Sequence, residues 1–130
     1  MALNPPFSGR CLCGAVTYRC SKEPLWQSHC HCESCRRATA SGFTSFFGMR
    51  DGAWAWTGAK SATFASSPGT WRDFCPTCGT QMAYRSDKYP GECHFYAATL
   101  DDPSGYVPTC HVHTDEMLPW IRLADRLPRK

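Results

Sequence analysis

The sequence lacks any long hydrophobic segment. No apolar run approaches the roughly 18 residues that a membrane-spanning helix needs, so we predict no membrane association. The stretch from Met1 to Phe7 also lacks the basic segment, followed by an apolar one, that marks a secretory signal. We therefore expect a cytoplasmic protein, in a compartment where cysteines stay reduced.

The sequence also lacks a block of lysine and arginine residues. Its formal net charge is +3, counted with neutral cysteines. A zinc ion held by three or four thiolates carries a net negative charge, so metal sites built from the cysteines would bring the folded protein close to neutrality. The basic balance is thus weak evidence for nucleic-acid binding, and we expect no nucleic-acid partner.

Cysteine, by contrast, is abundant, with ten residues in 130 positions. In a reduced chain, clustered cysteines indicate metal ligands in preference to disulfides. Seven of the ten fall in three short groups, within residues 11–13, 30–35 and 75–78. The other three belong to no motif, and we interpret them as small buried hydrophobic residues. They are Cys20, Cys93 and Cys110.

Short segments rich in aromatic and β-branched residues recur along the chain, separated by turns that draw on 10 glycines and 10 prolines. This pattern is typical of a mainly β domain built from small antiparallel sheets. No linker interrupts it, so we predict one domain over residues 1–130.

The coarse assignment of elements predicts one short helix, over 33–40, with Ser34 as its N-cap and Gly42 as its end. Among the predicted strands, 9–20 bends at Gly14 and 93–100 runs uninterrupted to a turn. Both predictions affect where cysteines lie, because the first strand carries Cys11 and Cys13 and the helix carries Cys35.

The first predicted metal site combines two cysteine pairs. Cys75 and Cys78 form a C-x-x-C knuckle, a tight turn that points both sulfurs at one ion, and Gly79 permits the close backbone approach. Cys11 and Cys13 share one face of a strand and supply the two further ligands of a closed structural zinc site. A redox dithiol is the alternative, but no βαβ pattern surrounds the knuckle.

The second predicted site contains three cysteines: Cys30, Cys32 and Cys35. Three protein ligands and one open position are typical of a catalytic zinc, and the open position suits water, hydroxide or a thiol. A three-thiolate site also holds zinc less firmly, so we expect this ion to be lost first. The alternative is closure by a fourth protein ligand, for which the spacing leaves eight candidates: His29, His31, His94, His111, His113, Cys20, Cys93 and Cys110.

Five stretches of the chain, taken together, resemble the glutathione-dependent formaldehyde-activating (Gfa) family, which has a zinc-binding β-tent fold. The matching stretches lie in the family order over nearly the whole chain. They are Gly-Arg-Cys-Leu-Cys-Gly-Ala-Val from Gly9, Cys-His-Cys-Glu-Ser-Cys-Arg-Arg from Cys30, Phe-Cys-Pro-Thr-Cys-Gly-Thr from Phe74, Leu-Asp-Asp-Pro from Leu100 and Pro-Trp from Pro119. Two positions depart from the pattern, because Ala40 and Ala98 stand where we expect glycine.

The resemblance implies a structural zinc on the four cysteines of the first site and a second zinc on the three of the second site, with its fourth position open to substrate. It implies a carbon–sulfur lyase that joins glutathione to formaldehyde, or cleaves such an adduct. We further hypothesise that Arg36 or Arg37 binds a carboxylate of the thiol. A different class of function stays open: a non-catalytic zinc module that binds a protein or nucleic acid, which an exposed aromatic or basic patch or a fourth ligand on the second zinc would favour.

Overall fold

Two β-sheets make up most of the regular structure in the computed structural model, which describes residues 2–130. Met1, the first residue of the predicted domain and of the stretch inspected for a signal, lies outside the described residues. The predicted mainly β class is confirmed. In chain order the strands are β1 Phe7–Arg10, β2 Thr17–Cys20, β3 Trp26–Cys30, β4 Thr44–Arg50, β5 Trp54–Trp56, β6 Ala62–Ser67, β7 Thr70–Phe74, β8 Gln81–Ser86, β9 Glu92–Tyr96 and β10 His111–Val112.

The smaller sheet has the strand order β1-β2-β5, and the larger has the order β10-β3-β4-β9-β8-β7-β6. Neighbouring strands are antiparallel except for β10, which pairs in parallel with β3. This parallel pair returns the C-terminal part of the chain to the edge of the larger sheet, next to the 30–35 cysteine group.

Alternation along the central strands gives the larger sheet two apolar faces. Consecutive strand residues point to opposite faces. Phe47 and Phe95 accordingly pack against the smaller sheet, where the Tyr18 ring stacks on Phe95 with 4.3 Å between centroids. Phe46 and Tyr96 lie in a second cluster with Cys30 and Cys35. The main core therefore occupies one face of the sheet, and the second cysteine group lies on the other.

Among residues 2–130 there is one α-helix, α1, which spans Glu33–Thr39. Its N-cap is Cys32, whose sulfur accepts a hydrogen bond from the Cys35 N–H at 3.4 Å, so the predicted Ser34 cap is wrong. The helix ends before Gly42, at Ala40, which takes up the left-handed conformation with φ of 53°. The Cys32 sulfur thus satisfies one of the free amide groups of the first turn and joins the helix to the three-cysteine group.

Two of the predicted strands end differently from the sequence-based assignment. The predicted strand 9–20 is a hairpin of β1 and β2, and its connection contains Cys11, Cys13 and Gly14, which has φ of 82°. The predicted strand 93–100 ends at Tyr96 because a 3₁₀ turn follows. The three 3₁₀ turns are Ala97–Thr99, Pro103–Gly105 and Thr114–Glu116. Within residues 2–130, no helix is both long and apolar enough to cross a membrane.

Candidate metal centres and adjoining cavity

The first predicted site forms as a group of four sulfurs, with all four ligand atoms within 4.8 Å of one another. The Cys13 sulfur lies 3.6 Å from Cys11 and 3.8 Å from Cys75. A tetrahedral zinc with Zn–S bonds of about 2.3 Å separates its sulfurs by about 3.8 Å. The residues therefore fit a closed four-thiolate zinc site.

Backbone geometry on both sides directs these sulfurs inward. The Val16 N–H donates to the Cys11 sulfur at 3.3 Å, and the Cys78 N–H donates to the Cys75 sulfur at 3.4 Å. Hydrogen bonds from the Thr80 hydroxyl and N–H lower the pKa of Cys78 to about 5. Donors of this kind stabilise thiolates, which are the form that binds metal.

The second predicted site also forms, with the sulfurs of Cys30, Cys32 and Cys35 within 4.8 Å of one another. Cys30 ends β3, Cys32 caps α1 and Cys35 lies in the first turn of the helix. Hydrogen bonding from Cys30, and then from Cys35, lowers the pKa of Cys32, whereas the bond from Cys32 raises that of Cys30. Hydrogen bonds among the three sulfurs thus stabilise a thiolate within the group.

None of the eight candidate fourth ligands joins this group in the part of the chain that the structure describes. Cys20 and Cys93 are fully buried in the main core, as predicted for small hydrophobic residues. Cys110 corrects that prediction, because it is only half-buried and lines the cavity beside the three cysteines. The arrangement therefore has three clustered donors and an adjoining cavity.

Two of the candidate histidines, both buried, form a series of hydrogen bonds that ends at an aspartate. His31 Nε2 lies 2.8 Å from His111 Nδ1, and His111 Nε2 donates to Asp125 at 3.0 Å. Both rings are fully buried, and His31 Nδ1 has no hydrogen-bond partner among residues 2–130. His31 lies between Cys30 and Cys32 in sequence. These hydrogen bonds therefore connect the C-terminal part of the protein, which contains His111 and Asp125, to the three-cysteine group.

Arg72 is a functional candidate that the sequence analysis missed. Its guanidinium is buried and lies 3.8 Å from the Cys35 sulfur, and it donates to the Tyr96 hydroxyl at 3.0 Å. It also stacks over the Tyr84 ring, 5.0 Å from the centroid. Burial lowers the pKa of Arg72, but electrostatic attraction to Tyr96 and Cys35 has the larger effect. The pKa of Arg72 is therefore raised. A fixed positive charge therefore touches the three-cysteine group.

The two arginines proposed from sequence are engaged elsewhere. The Arg36 guanidinium donates to the backbone carbonyls of His31, at 3.1 Å, and Glu116, at 3.2 Å. Arg37 is exposed and donates to Glu33 at 3.2 Å. Neither belongs to the residues that line the cavity next to the three sulfurs. Their assignment to substrate binding stays a prediction without a contact to support it.

The cavity beside the three cysteines has a volume of about 470 Å³, in the usual range for small-molecule sites. Four aromatic side chains line part of its wall: Trp26, Phe46, Tyr84 and Tyr89. The ring of His94 meets the ring of Trp26 edge-on, with 4.5 Å between centroids. Three potential metal ligands therefore face a space that is large enough for a small organic molecule.

Comparison with known proteins finds a matching enzyme family and a relative that is named as a lyase. Residues 6–116 match the family described as glutathione-dependent formaldehyde-activating enzyme. An uncharacterized lyase from Schizosaccharomyces pombe is 34% identical over 88 residues, which cover 66% of this chain and 64% of the yeast protein. The match thus spans less than two thirds of the yeast protein's length.

A solved structure shows the same fold. The crystal structure of a protein from Rhodobacter sphaeroides superposes with a TM-score of 0.61 and 23% sequence identity. The match covers 72% of this chain and 87% of the bacterial protein. At that identity the likeness supports the fold alone.

Proposed function

Because the chain belongs to the glutathione-dependent formaldehyde-activating enzyme family, we propose that it is a zinc-dependent carbon–sulfur lyase. The proposed reaction adds a thiol to a small aldehyde or reverses that addition. A carbon–sulfur bond forms, the carbonyl becomes a hydroxyl, and the thiol proton ends on the aldehyde oxygen, so no oxidant or reductant is needed. Glutathione and formaldehyde are the partners that the family description names.

One observation supports this proposal above the others. The three cysteines that cluster without a fourth ligand among residues 2–130 are the same three that line the 470 Å³ cavity. Structural zinc sites are closed by four protein ligands, whereas catalytic ones keep a position for substrate. Zinc bound there would deprotonate a thiol and polarise a carbonyl.

The chain's own residues contribute binding and electrostatics. Cys30, Cys32 and Cys35 supply the donor set, and aromatic side chains of the cavity wall offer apolar contact to a bound thiol. Arg72 holds Cys35 from outside the cavity and offsets part of the negative charge of three thiolates. Holding both partners in one cavity makes the addition effectively intramolecular.

The test is to measure formation of the hydroxymethyl thioether by NMR with protein purified under reducing conditions, for wild type, Cys32→Ser and Cys110→Ser. Cys110 is a matched control because it lines the same cavity but lies outside the three-sulfur group. We expect Cys32→Ser to abolish turnover and Cys110→Ser to keep most of it. Full turnover by Cys32→Ser would exclude the proposed role of the cluster.

The alternative, a non-catalytic zinc module, gains no specific support. The fourth protein ligand that would favour it is not found within residues 2–130. Of the large exposed apolar side chains, Leu12 and Phe64 line different cavities, and Trp120 lines neither of them. We therefore propose a single function, that of the enzyme.

A further inference from the structure

The charge of the cavity wall limits the kind of thiol that fits it. Glu92 lines the cavity, and among the residues that the structure describes no lysine or arginine does. Three thiolates around a zinc ion add a net negative charge at the other side of the same space. Arg72 offsets part of that charge from outside the cavity, and the titratable nitrogen-bearing side chains in the lining are those of His94 and His113. Glu92 is therefore the one acidic or basic side chain in the lining among residues 2–130, leaving the histidines, cysteines and tyrosines aside.

The Glu92 carboxylate is held in place without being neutralised. Its Oε1 accepts hydrogen bonds from Trp26 Nε1 at 2.9 Å and from His94 Nε2 at 3.0 Å. Burial lowers the pKa of His94, which keeps that imidazole neutral at pH 7. Two neutral donors therefore orient the carboxylate, and its negative charge remains available to a ligand.

The aromatic lining adds to the same preference. Tyr84, Tyr89 and Phe46 surround the His94 ring at centroid distances of 5.6, 4.9 and 6.4 Å. Ring faces carry negative potential and attract cations. The Arg72 guanidinium already lies over the Tyr84 ring. Tyr89 and Phe46, which line the cavity together with the Glu92 carboxylate, are therefore the rings that favour an ammonium group over a carboxylate.

We propose that the thiol substrate of this cavity carries a positively charged amino group and no carboxylate. The inference rests on the proposed function, since it takes the three-cysteine zinc as the place where the thiol binds. It differs from the family description in one respect: glutathione has two carboxylates, and no lysine or arginine among residues 2–130 lines the cavity to bind either of them.

The test uses the full chain loaded with Co²⁺, whose visible and charge-transfer absorption changes when a thiol binds. Three probes share a two-carbon spacer from the sulfur: cysteamine is cationic, 2-mercaptoethanol is neutral and 3-mercaptopropionate is anionic. Glutathione is the fourth probe. We expect the tightest binding for cysteamine and the weakest for 3-mercaptopropionate and glutathione, with the cysteamine advantage reduced at high salt.

The probe thiols also differ in acidity, and no protein variant changes that difference. Glu92→Gln therefore isolates the contribution of the Glu92 charge to the binding preference. Glutamine keeps an oxygen that accepts from Trp26, and Glu23→Gln, an exposed position outside the cavity, is the matched control. We expect Glu92→Gln to reduce the preference for cysteamine over 2-mercaptoethanol by about five- to tenfold. We expect Glu23→Gln to leave that preference at the wild-type value.

The outcomes distinguish the two proposals. If glutathione or 3-mercaptopropionate binds as tightly as cysteamine and Glu92→Gln changes nothing, the inference is overturned while the proposed function stands. If no thiol changes the Co²⁺ spectrum, the three-cysteine site is not a thiol-binding centre and both fail. A charge preference that disappears in Glu92→Gln supports both.

Discussion

At the scale of single residues, Arg72 combines a buried positive charge with direct contact to the three-cysteine group. Its guanidinium nitrogens lie 3.8 and 3.9 Å from the Cys35 sulfur. Hydrogen bonds to charged groups contribute about 1.5–3 kcal/mol. We therefore expect Arg72→Met to weaken zinc binding at this site by at least about tenfold, measured by competition with a chromogenic chelator.

The same titration contains its own controls. The four-cysteine site lies elsewhere in the chain and should keep its affinity in Arg72→Met, so zinc release should become more clearly biphasic. Tyr96→Phe removes a hydrogen-bond partner of Arg72 but not the charge, and we expect it to have a smaller effect. Unchanged release of the weaker zinc in Arg72→Met would show that Arg72 has only a packing role.

At the scale of elements, the end of α1 carries backbone strain. Ala40 has φ of 53°, in the left-handed region that glycine occupies readily and alanine does not. Replacing it with glycine relieves that strain, at the cost of more freedom in the unfolded chain. We expect Ala40→Gly to raise the free energy of unfolding by about 0.5–1 kcal/mol, measured by urea denaturation.

Ala38 provides the control for this prediction, because it lies inside the same helix with ordinary helical geometry. Ala38→Gly should lower the free energy of unfolding by about 1 kcal/mol, which is the usual cost of glycine in a helix interior. Equal losses in both variants would contradict the strain argument. A higher free energy of unfolding in Ala40→Gly together with a lower one in Ala38→Gly would assign the gain to the left-handed conformation at position 40.

The sequence predicted those parts of the site that depend on local spacing. Cys30, Cys32 and Cys35 lie within six positions, so the chain has little freedom to separate them. Arg72 could not be predicted in this way, because it is 37 positions from Cys35 and the packing of β7 against the cysteine cluster brings them together. The left-handed residue after α1 gave only an indirect signal, since Ala40 stands where the family pattern leads us to expect glycine but alanine itself does not indicate that conformation.

In the fold, too, local features could be predicted from the sequence and contacts between distant segments could not. Segments rich in aromatic and β-branched residues predicted the strands, and within one of them Phe46 and Phe47 point to opposite faces of the larger sheet. The pairing order β10-β3-β4-β9 could not be read from any segment, because it depends on contacts between distant parts of the chain. That order brings the cavity residues together, so the spacing of the cysteines predicted a metal but not the charge of the cavity beside it.

At the scale of the whole molecule, metal ions bound by the two cysteine groups would close loops of very different length. Cys13 and Cys75 are 62 positions apart, and their group joins the hairpin of the smaller sheet to the β7–β8 connection of the larger one. Cys30 and Cys35 are five positions apart within a single turn of chain. Closing the longer loop is worth about 2 kcal/mol more, because loop entropy grows with the logarithm of length.

The two sites should therefore differ in their effect on stability. We expect the double variant Cys13→Ser, Cys78→Ser to lower the free energy of unfolding by at least about 2 kcal/mol more than Cys32→Ser. The comparison is matched, since each variant leaves two cysteines in its group, and serine at position 32 keeps a good helix N-cap. Urea denaturation followed by tryptophan fluorescence, in a zinc-buffered solution, measures both. Equal losses would mean that the four-cysteine group does not hold the two sheets together, and the assignment of a structural zinc would fail.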